Sequence, residues 1–267
     1  MQLGLPHRLP KCQPGSAALK TFHDIDPVPD LASAFALLTR LPVRDHAPRG
    51  AASAWVWPVV GAVLGAISAT LAGLALWLGF TPGVVAGLVL VVGAILTGGL
   101  HEDGVSDTAD GLFGGWTKAQ RLEIMKDSRV GSYGVLALVL VTLIRWSALT
   151  TVLAGGGLWG LVAVGALSRA PMAVLMAALP PARDTGLSHA TGRPSSQTAL
   201  LGAALAGAIT CLFAGWAALP MLALVAITTA LLARSAQTRI GGQTGDILGA
   251  AQQLAEAAAL AVLAARA

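Results

Sequence analysis

Residues 101–115 read HEDGVSDTADGLFGG and follow residues 51–100, which carry no charge at all. Asp103, Asp107 and Asp110 are spaced i, i+4, i+7, which on a helix places three carboxylates on one face. Like charges on one stripe repel and destabilise the helix unless something positive sits among them. Ligands that are all oxygen, at this density, suit a hard divalent cation, most simply Mg²⁺. Gly104, Gly111, Gly114 and Gly115 interleave the acids and let a phosphate or a second helix approach the backbone.

A second cluster follows at residues 123–134, EIMKDSRVGSYG. Glu123 and Asp127 are i, i+4, while Lys126 and Arg129 are i, i+3. Cations beside a carboxylate–metal site are what a diphosphate needs, because metals bridge its oxygens and Lys or Arg takes the remaining charge; ordinary surface ion pairs are the alternative. His101 is either a neighbour of metal or phosphate or an interfacial histidine; Val105 at the fourth position after it rules out HExxH. Arg169, in SRAP, is expected near the polar end of a span and needs a partner there. Gly242, Thr244 and Asp246 belong to GGQTGD, a glycine-rich turn whose backbone N–H groups could meet an anion, or simply a helix capped by Asp246. Arg145 and Glu256, both inside apolar runs, suit an interhelical salt bridge as well as a substrate role.

These residues need elements to hold them, and composition says which kind. Of 267 residues, 55% are hydrophobic and 11% charged, with mean hydropathy +0.72. So little charge cannot cover a globular surface, so lipid must solvate much of the chain. The expected fold is all-α, a polytopic membrane bundle of about seven helices at 55–79, 82–100, 133–153, 158–179, 197–215, 216–233 and 246–264. The last is the weakest on hydropathy, since it holds Gln252, Gln253 and Glu256. Residues 234–245 are expected to be a polar loop, and 30–41 a short surface helix capped by Asp30. The loops on one side hold nearly every cation, including Arg40, Arg44, Arg49, Lys118, Arg121, Arg183, Arg193, Arg234 and Arg239. The positive-inside rule makes that side cytoplasmic, with the N-terminus inside and the C-terminus outside. Trp77, Trp159 and Trp216 fall at the opposite interface. The net charge of +4 serves orientation and anionic-substrate attraction, with no nucleic-acid partner. Cys12 and Cys211 lie far apart in character and indicate neither disulfide nor zinc site. Residues 1–30, with five prolines, read as a disordered extension, and 31–267 as one membrane-embedded domain.

GGLHEDGVSDTADGLFGG, EIMKDSRVGSYG and GGQTGDILGA, with LLTRLPV and SRAPM, resemble the signatures of the cobalamin synthase family, the adenosylcobinamide-GDP ribazoletransferases. The likeness covers about residues 31–265. It implies an integral enzyme of the bacterial or archaeal cytoplasmic membrane that joins α-ribazole, or its 5′-phosphate, to adenosylcobinamide-GDP, releases GMP and requires Mg²⁺. On that reading Asp103, Asp107 and Asp110 hold the metal, and Glu123 and Asp127 complete the shell or act as base. Lys126, Arg129 and Arg169 neutralise charge, and Gly242, Thr244 and Asp246 line the pocket. DTADG also resembles the start of the CDP-alcohol phosphotransferase signature but lacks its following Ala-Arg. A transporter is the other rival, disfavoured because the polar residues gather at one face rather than mid-membrane. Homo-oligomer and biosynthetic membrane complex are both left open, as is the lower base attached.

Overall fold

The computed structural model describes residues 25–43 and 46–267. Most of the expected N-terminal extension, with Cys12, and also Arg44 lie outside the described residues. Among the described residues the regular elements are helical, joined by one isolated β-bridge between Pro181 and Gln243. The helices are α1 (Pro27–Leu38), α2 (Trp57–Trp77), α3 (Pro82–Thr97), α4 (Leu100–Gly114), α5 (Lys118–Ile124), α6 (Ser132–Ala154), α7 (Gly160–Ala178), α8 (Leu187–Thr191), α9 (Ser196–Ala214), α10 (Ala218–Ile240) and α11 (Gly245–Ala264).

Five helical stretches are long and apolar enough to cross a membrane, or six if the bent pair α3–α4 counts as one. One of the five, Ser196–Ile240, has 45 residues. Straight, it would run on the order of 68 Å, over twice a ~30 Å hydrocarbon core. It is broken at the 3-10 turn Gly215–Ala217, where Gly215 has φ +54°. It folds back there: Ala199 near its start and Ile240 at its end share one core cluster, while Ala217 and Met221 belong to the other. Counted as two, it brings the apolar segments to the seven expected. The polar loops gather at one end of the bundle. Exposed Trp77, Trp159 and Trp216 mark the other, where Ala267 reaches Gly155. The α11 segment therefore runs the full depth despite its glutamines.

Three expectations change. First, α1 starts at Pro27 rather than Asp30, with Asp26 at its cap position. Proline suits a first helical turn, where its missing N–H is not needed, so residues 27–30 are helix rather than extension. Asp30 does not cap; its buried carboxylate accepts from Arg49 Nε at 2.7 Å, Trp55 Nε1 at 2.9 Å and the Asp26 N–H at 3.1 Å. Second, residues 234–240 continue α10 instead of forming a loop. Polar residues end a hydropathy window but not a helix, and Arg239 is favoured at the helix C-terminus, where it donates to the Leu112 carbonyl at 2.6 Å. Third, the span expected over 82–100 ends at Thr97. Gly98 and Gly99 both take left-handed backbone (φ +68° and +70°), and α4 leaves at 91°.

Small residues let the helices touch. Gly61 and Gly165 set the backbones of α2 and α7 against each other, so that a methyl on either would strike the other's carbonyl oxygen. As a result α7 is the most enclosed of the spanning helices.

Candidate active site

The carboxylates meet where α4 crosses α11, glycine on glycine. A Cβ on Gly104 would lie 2.7 Å from the Asp246 carbonyl oxygen and 2.9 Å from Gly249 Cα. This crossing brings Asp103 and Asp107 to the first turn of α11, where Asp246 stands. Asp107 lies at the polar end, outside the spanning segments. Partial burial, then the charges of Asp103, Asp246 and Asp110, push its carboxyl up to about 7, and only Arg183 pulls the other way. Arg183 Nη2 bonds Asp246 Oδ2 at 3.1 Å.

Asp110 takes a different part. Its two oxygens accept the N–H groups of Gly131 at 2.7 Å and Gly134 at 2.9 Å, closing the N-terminus of α6. Charge and hydrogen bonds both favour a carboxylate there. Gly131 and Gly134 are needed because a side chain at either would collide with that carboxylate. The expected stripe is thus divided: two acids face α11, and the third ties down α6.

The second cluster stays at the surface. Thr117 and Gln120 form a reciprocal capping box that starts α5. Glu123 and Asp127 share a shallow surface hollow with Trp116 and Gln120. Arg129 turns back onto Asp127 at 2.7 Å and is largely exposed; that pairing holds the Asp127 carboxyl below the usual range. Lys126 is exposed. Asp127 and Arg129 line an open hollow with Asp110.

Arg169 lies deeper than expected. Among α4, α6, α7 and α11 runs a buried network. Arg145 Nη2 binds Glu256 at 2.6 Å and its Nη1 lies 3.5 Å from Glu102, while Arg169 Nη1 donates to Ser168 Oγ at 2.7 Å and lies 3.5 Å from Glu256. Gln252 donates to Glu256 at 2.7 Å, and Gln253 to Glu102 at 2.9 Å. Two cations and two anions balance, as low dielectric requires. Arg145 and Glu256 therefore form the interhelical salt bridge, and Arg169 is engaged with it rather than with the aspartates.

Backbone hydrogen bonds tie the glycine-rich turn to the segment that follows α7. Gln243 N–H goes to the Pro180 carbonyl at 2.9 Å and Ala182 N–H to the Gln243 carbonyl at 2.8 Å, with Gly242 packed against Pro180. Thr244 caps α11 through Ile247 N–H in place of Asp246, which leaves Asp246 to Arg183.

Beside Asp103 and Asp246 opens a cleft with about 660 Å³ of empty space, part of it open to solvent. Arg183, His101 and Trp57 line it along with leucine and methionine side chains. Sequence reasoning missed Arg183 and Trp57. The signal for Arg183 is a cation two residues after Pro181, in a loop whose cations the sequence reads only as marks of topology.

Among the described residues, no three His, Cys, Asp or Glu side chains converge closely enough to hold a metal ion by themselves. The donor chemistry nevertheless fits a hard cation: hard oxygens at a local surplus of negative charge. Mg²⁺ is commonly held by one or two carboxylates, with substrate phosphates completing the shell.

The cobalamin-5-phosphate synthase family model matches residues 30–264. The chain belongs to that family. A Mesorhizobium japonicum protein named adenosylcobinamide-GDP ribazoletransferase is 44% identical, over 87% of this chain and 92% of its own. Proteins of the same name from Bradyrhizobium diazoefficiens and Azorhizobium caulinodans are each 41% identical, covering 89% and 86% of this chain and 94% and 93% of their own. No solved structure matches. The family match spans α1 through α11 and so includes every residue of the α4–α11 crossing.

Proposed function

We propose that this chain is an adenosylcobinamide-GDP ribazoletransferase of the bacterial cytoplasmic membrane, with its active site at the α4–α11 crossing on the cytoplasmic face. The observation that carries the reading is the family match over nearly the whole chain, joined to the gathering of Asp103, Asp107 and Asp246 at that crossing. The cytoplasmic assignment rests on the cations gathered at that end.

In the reaction a ribose hydroxyl of α-ribazole, or of its 5′-phosphate, attacks the phosphorus bearing the cobinamide. The bond between the two phosphates breaks and GMP leaves, while the hydroxyl proton passes to a carboxylate of the site. One or two of the carboxylates Asp103, Asp107 and Asp246 would hold Mg²⁺ together with phosphate oxygens of the substrate. The metal supplies charge stabilisation on the diphosphate as negative charge grows on the leaving oxygen. Arg183, fixed by Asp246, places a guanidinium beside the same oxygens. Lys126 and Arg129, exposed at that end, attract the anionic substrate on approach. Asp110 sets the angle of α6, and the buried network anchored by Glu256 holds α4, α6, α7 and α11 in register, so both act through position.

The test is incubation of the purified protein with adenosylcobinamide-GDP, α-ribazole and Mg²⁺. GMP should appear and EDTA should stop it. CMP release from a CDP-alcohol instead would overturn the assignment. Transport is disfavoured because Asp103, Asp107 and Asp246 stand at one end of the bundle rather than in the middle.

A further inference from the structure

Arg183 Nη2 donates to Asp246 Oδ2 at 3.1 Å, and its Nη1 has no partner among the described residues. A long side chain carries much rotamer freedom, so its placement depends on the backbone beneath it. That backbone, residues 182–186, is neither helix nor strand, and residues 184–187 are exposed. Exposed residues bury little and do little to fix a segment. Gln243, in the glycine-rich turn, holds this stretch with three of its groups. Its N–H donates to the Pro180 carbonyl at 2.9 Å, its carbonyl accepts from Ala182 N–H at 2.8 Å, and its Oε1 accepts from Ser188 Oγ at 2.6 Å. Both side chains of that last bond are buried. Arg183 therefore lies between two ties to the same residue, at Ala182 and at Ser188. Gln243 and Asp246 stand in one turn, fixed by the Thr244 cap of α11, so tying the segment to Gln243 sets Arg183 relative to Asp246. Gly242 lets the turn come this close, since a side chain there would strike the Pro180 carbonyl oxygen.

We propose that Gln243 is a positioning residue for Arg183, clamping residues 180–188 through Ser188 so that the guanidinium stays at Asp246, where the diphosphate is handled. What the guanidinium serves rests on the ribazoletransferase reading above; the clamp itself rests on the three hydrogen bonds. Gln243 touches no substrate in this assignment and acts through Ser188 and Arg183. Glutamine suits the task, because its carbonyl oxygen accepts from Ser188 while carrying no charge that would draw Arg183 off Asp246. The two backbone bonds alone hold only the near end of the segment. With the Ser188 bond broken, residues 183–188 are tied at one end, and the Arg183–Asp246 pair has to hold the arginine by itself.

Two variants cut the clamp from opposite sides: Ser188→Ala removes the donor and Gln243→Met the acceptor, and both leave the backbone bonds in place. The first readout is trypsin digestion of the purified full chain. Between residues 180 and 195 trypsin can cut only after Arg183, because Arg193 is followed by Pro194. Cleavage follows the population of the opened segment, so each variant should be cut at that bond about five- to tenfold faster, the worth of one hydrogen bond. The second readout is GMP release with each substrate varied. The KM for adenosylcobinamide-GDP should rise by about the same factor, while that for α-ribazole, which carries no phosphate, moves less than about twofold. In an Arg183→Ala background, Ser188→Ala should change the KM for adenosylcobinamide-GDP by less than about twofold, since nothing is left to position. Unchanged cleavage in both variants would overturn the clamp. Faster cleavage with equal shifts for the two substrates, or with an undiminished effect in the Arg183→Ala background, would overturn the positioning role and leave the enzyme's function standing. If the unmodified protein releases no GMP, the ribazoletransferase reading fails and the diphosphate role of Arg183 goes with it, while the trypsin result still decides whether Gln243 clamps the segment.

Discussion

Alanine at Gly104 would place a methyl 2.7 Å from the Asp246 carbonyl oxygen, against the 3.4 Å at which ordinary contact begins, a shortfall of about 0.7 Å. Both near atoms, that oxygen and Gly249 Cα, are backbone, so no side chain can swing aside and α4 must move off α11. Overpacking of this kind costs ~1–3 kcal/mol, which for a protein of this size lowers Tm by a few degrees. The catalytic loss should be larger. Separating the helices carries Asp103 and Asp107 away from Asp246, and a displacement approaching 1 Å at reacting groups costs on the order of 10²-fold in rate. The assay is kcat for GMP release per correctly inserted molecule, with thermal unfolding in parallel. Gly87→Ala is the control, because a Cβ there meets nothing within 4 Å; it should change neither. If Gly104→Ala keeps kcat within twofold of the unmodified protein, the crossing does not set the carboxylate geometry and the site has been drawn in the wrong place.

Asp107→Asn should lower GMP release a hundredfold or more and yet stabilise the metal-free protein. The Asp107 carboxyl is raised to about 7, so its ionised form opposes folding: the penalty is absent below the unfolded value near 4 and complete above about 7. The Tm gain of Asp107→Asn should therefore grow across that window, and a variant less stable than the parent at pH 8 would refute it. Asp110→Asn puts an amide NH₂ against one of two backbone N–H groups and should cost ~1–2 kcal/mol, read as a Tm fall that added Mg²⁺ does not reverse. Glu256→Ala strands Arg145 and Arg169 with Glu102 alone and should cost ~3–5 kcal/mol, seen as failure to accumulate or a steep loss of Tm. Normal accumulation would show that the network is wet rather than sealed.

The membrane segments were legible in the sequence because lipid imposes a rule on each segment separately: enough apolar length, with charge sorted to one side. The helix carrying Asp103, Asp107 and Asp110 was legible for a similar local reason, since spacing fixes a face. Spacing does not say what stands opposite that face. Asp110 meets α6 N–H groups while Asp103 and Asp107 meet Asp246, a division made by the glycine crossing and by a bend at Gly98-Gly99 that no periodicity announces. Arg183 and Asp246 are 63 residues apart, and nothing local links them. Arg169 was placed by its position along an apolar run, but its partners Ser168 and Glu256 draw it into the interior. The end of α10 was missed because hydropathy marks where lipid stops, not where hydrogen bonding stops.

The order in which the chain is made gives α11 a further importance. Arg145 and Arg169 belong to helices that emerge before it, and until Glu256 arrives the only acid among the described residues within reach of Arg145 is Glu102, at 3.5 Å. Asp246 arrives on the same late helix. During synthesis the bundle must therefore carry an unbalanced cation in its interior, which leaves a gap between the earlier helices open to water or to the insertion machinery. Entry of α11 closes that gap and completes the carboxylate group in one event. Charge balance of the interior and competence of the site are in this way acquired together, so a half-made chain presents no partly active enzyme.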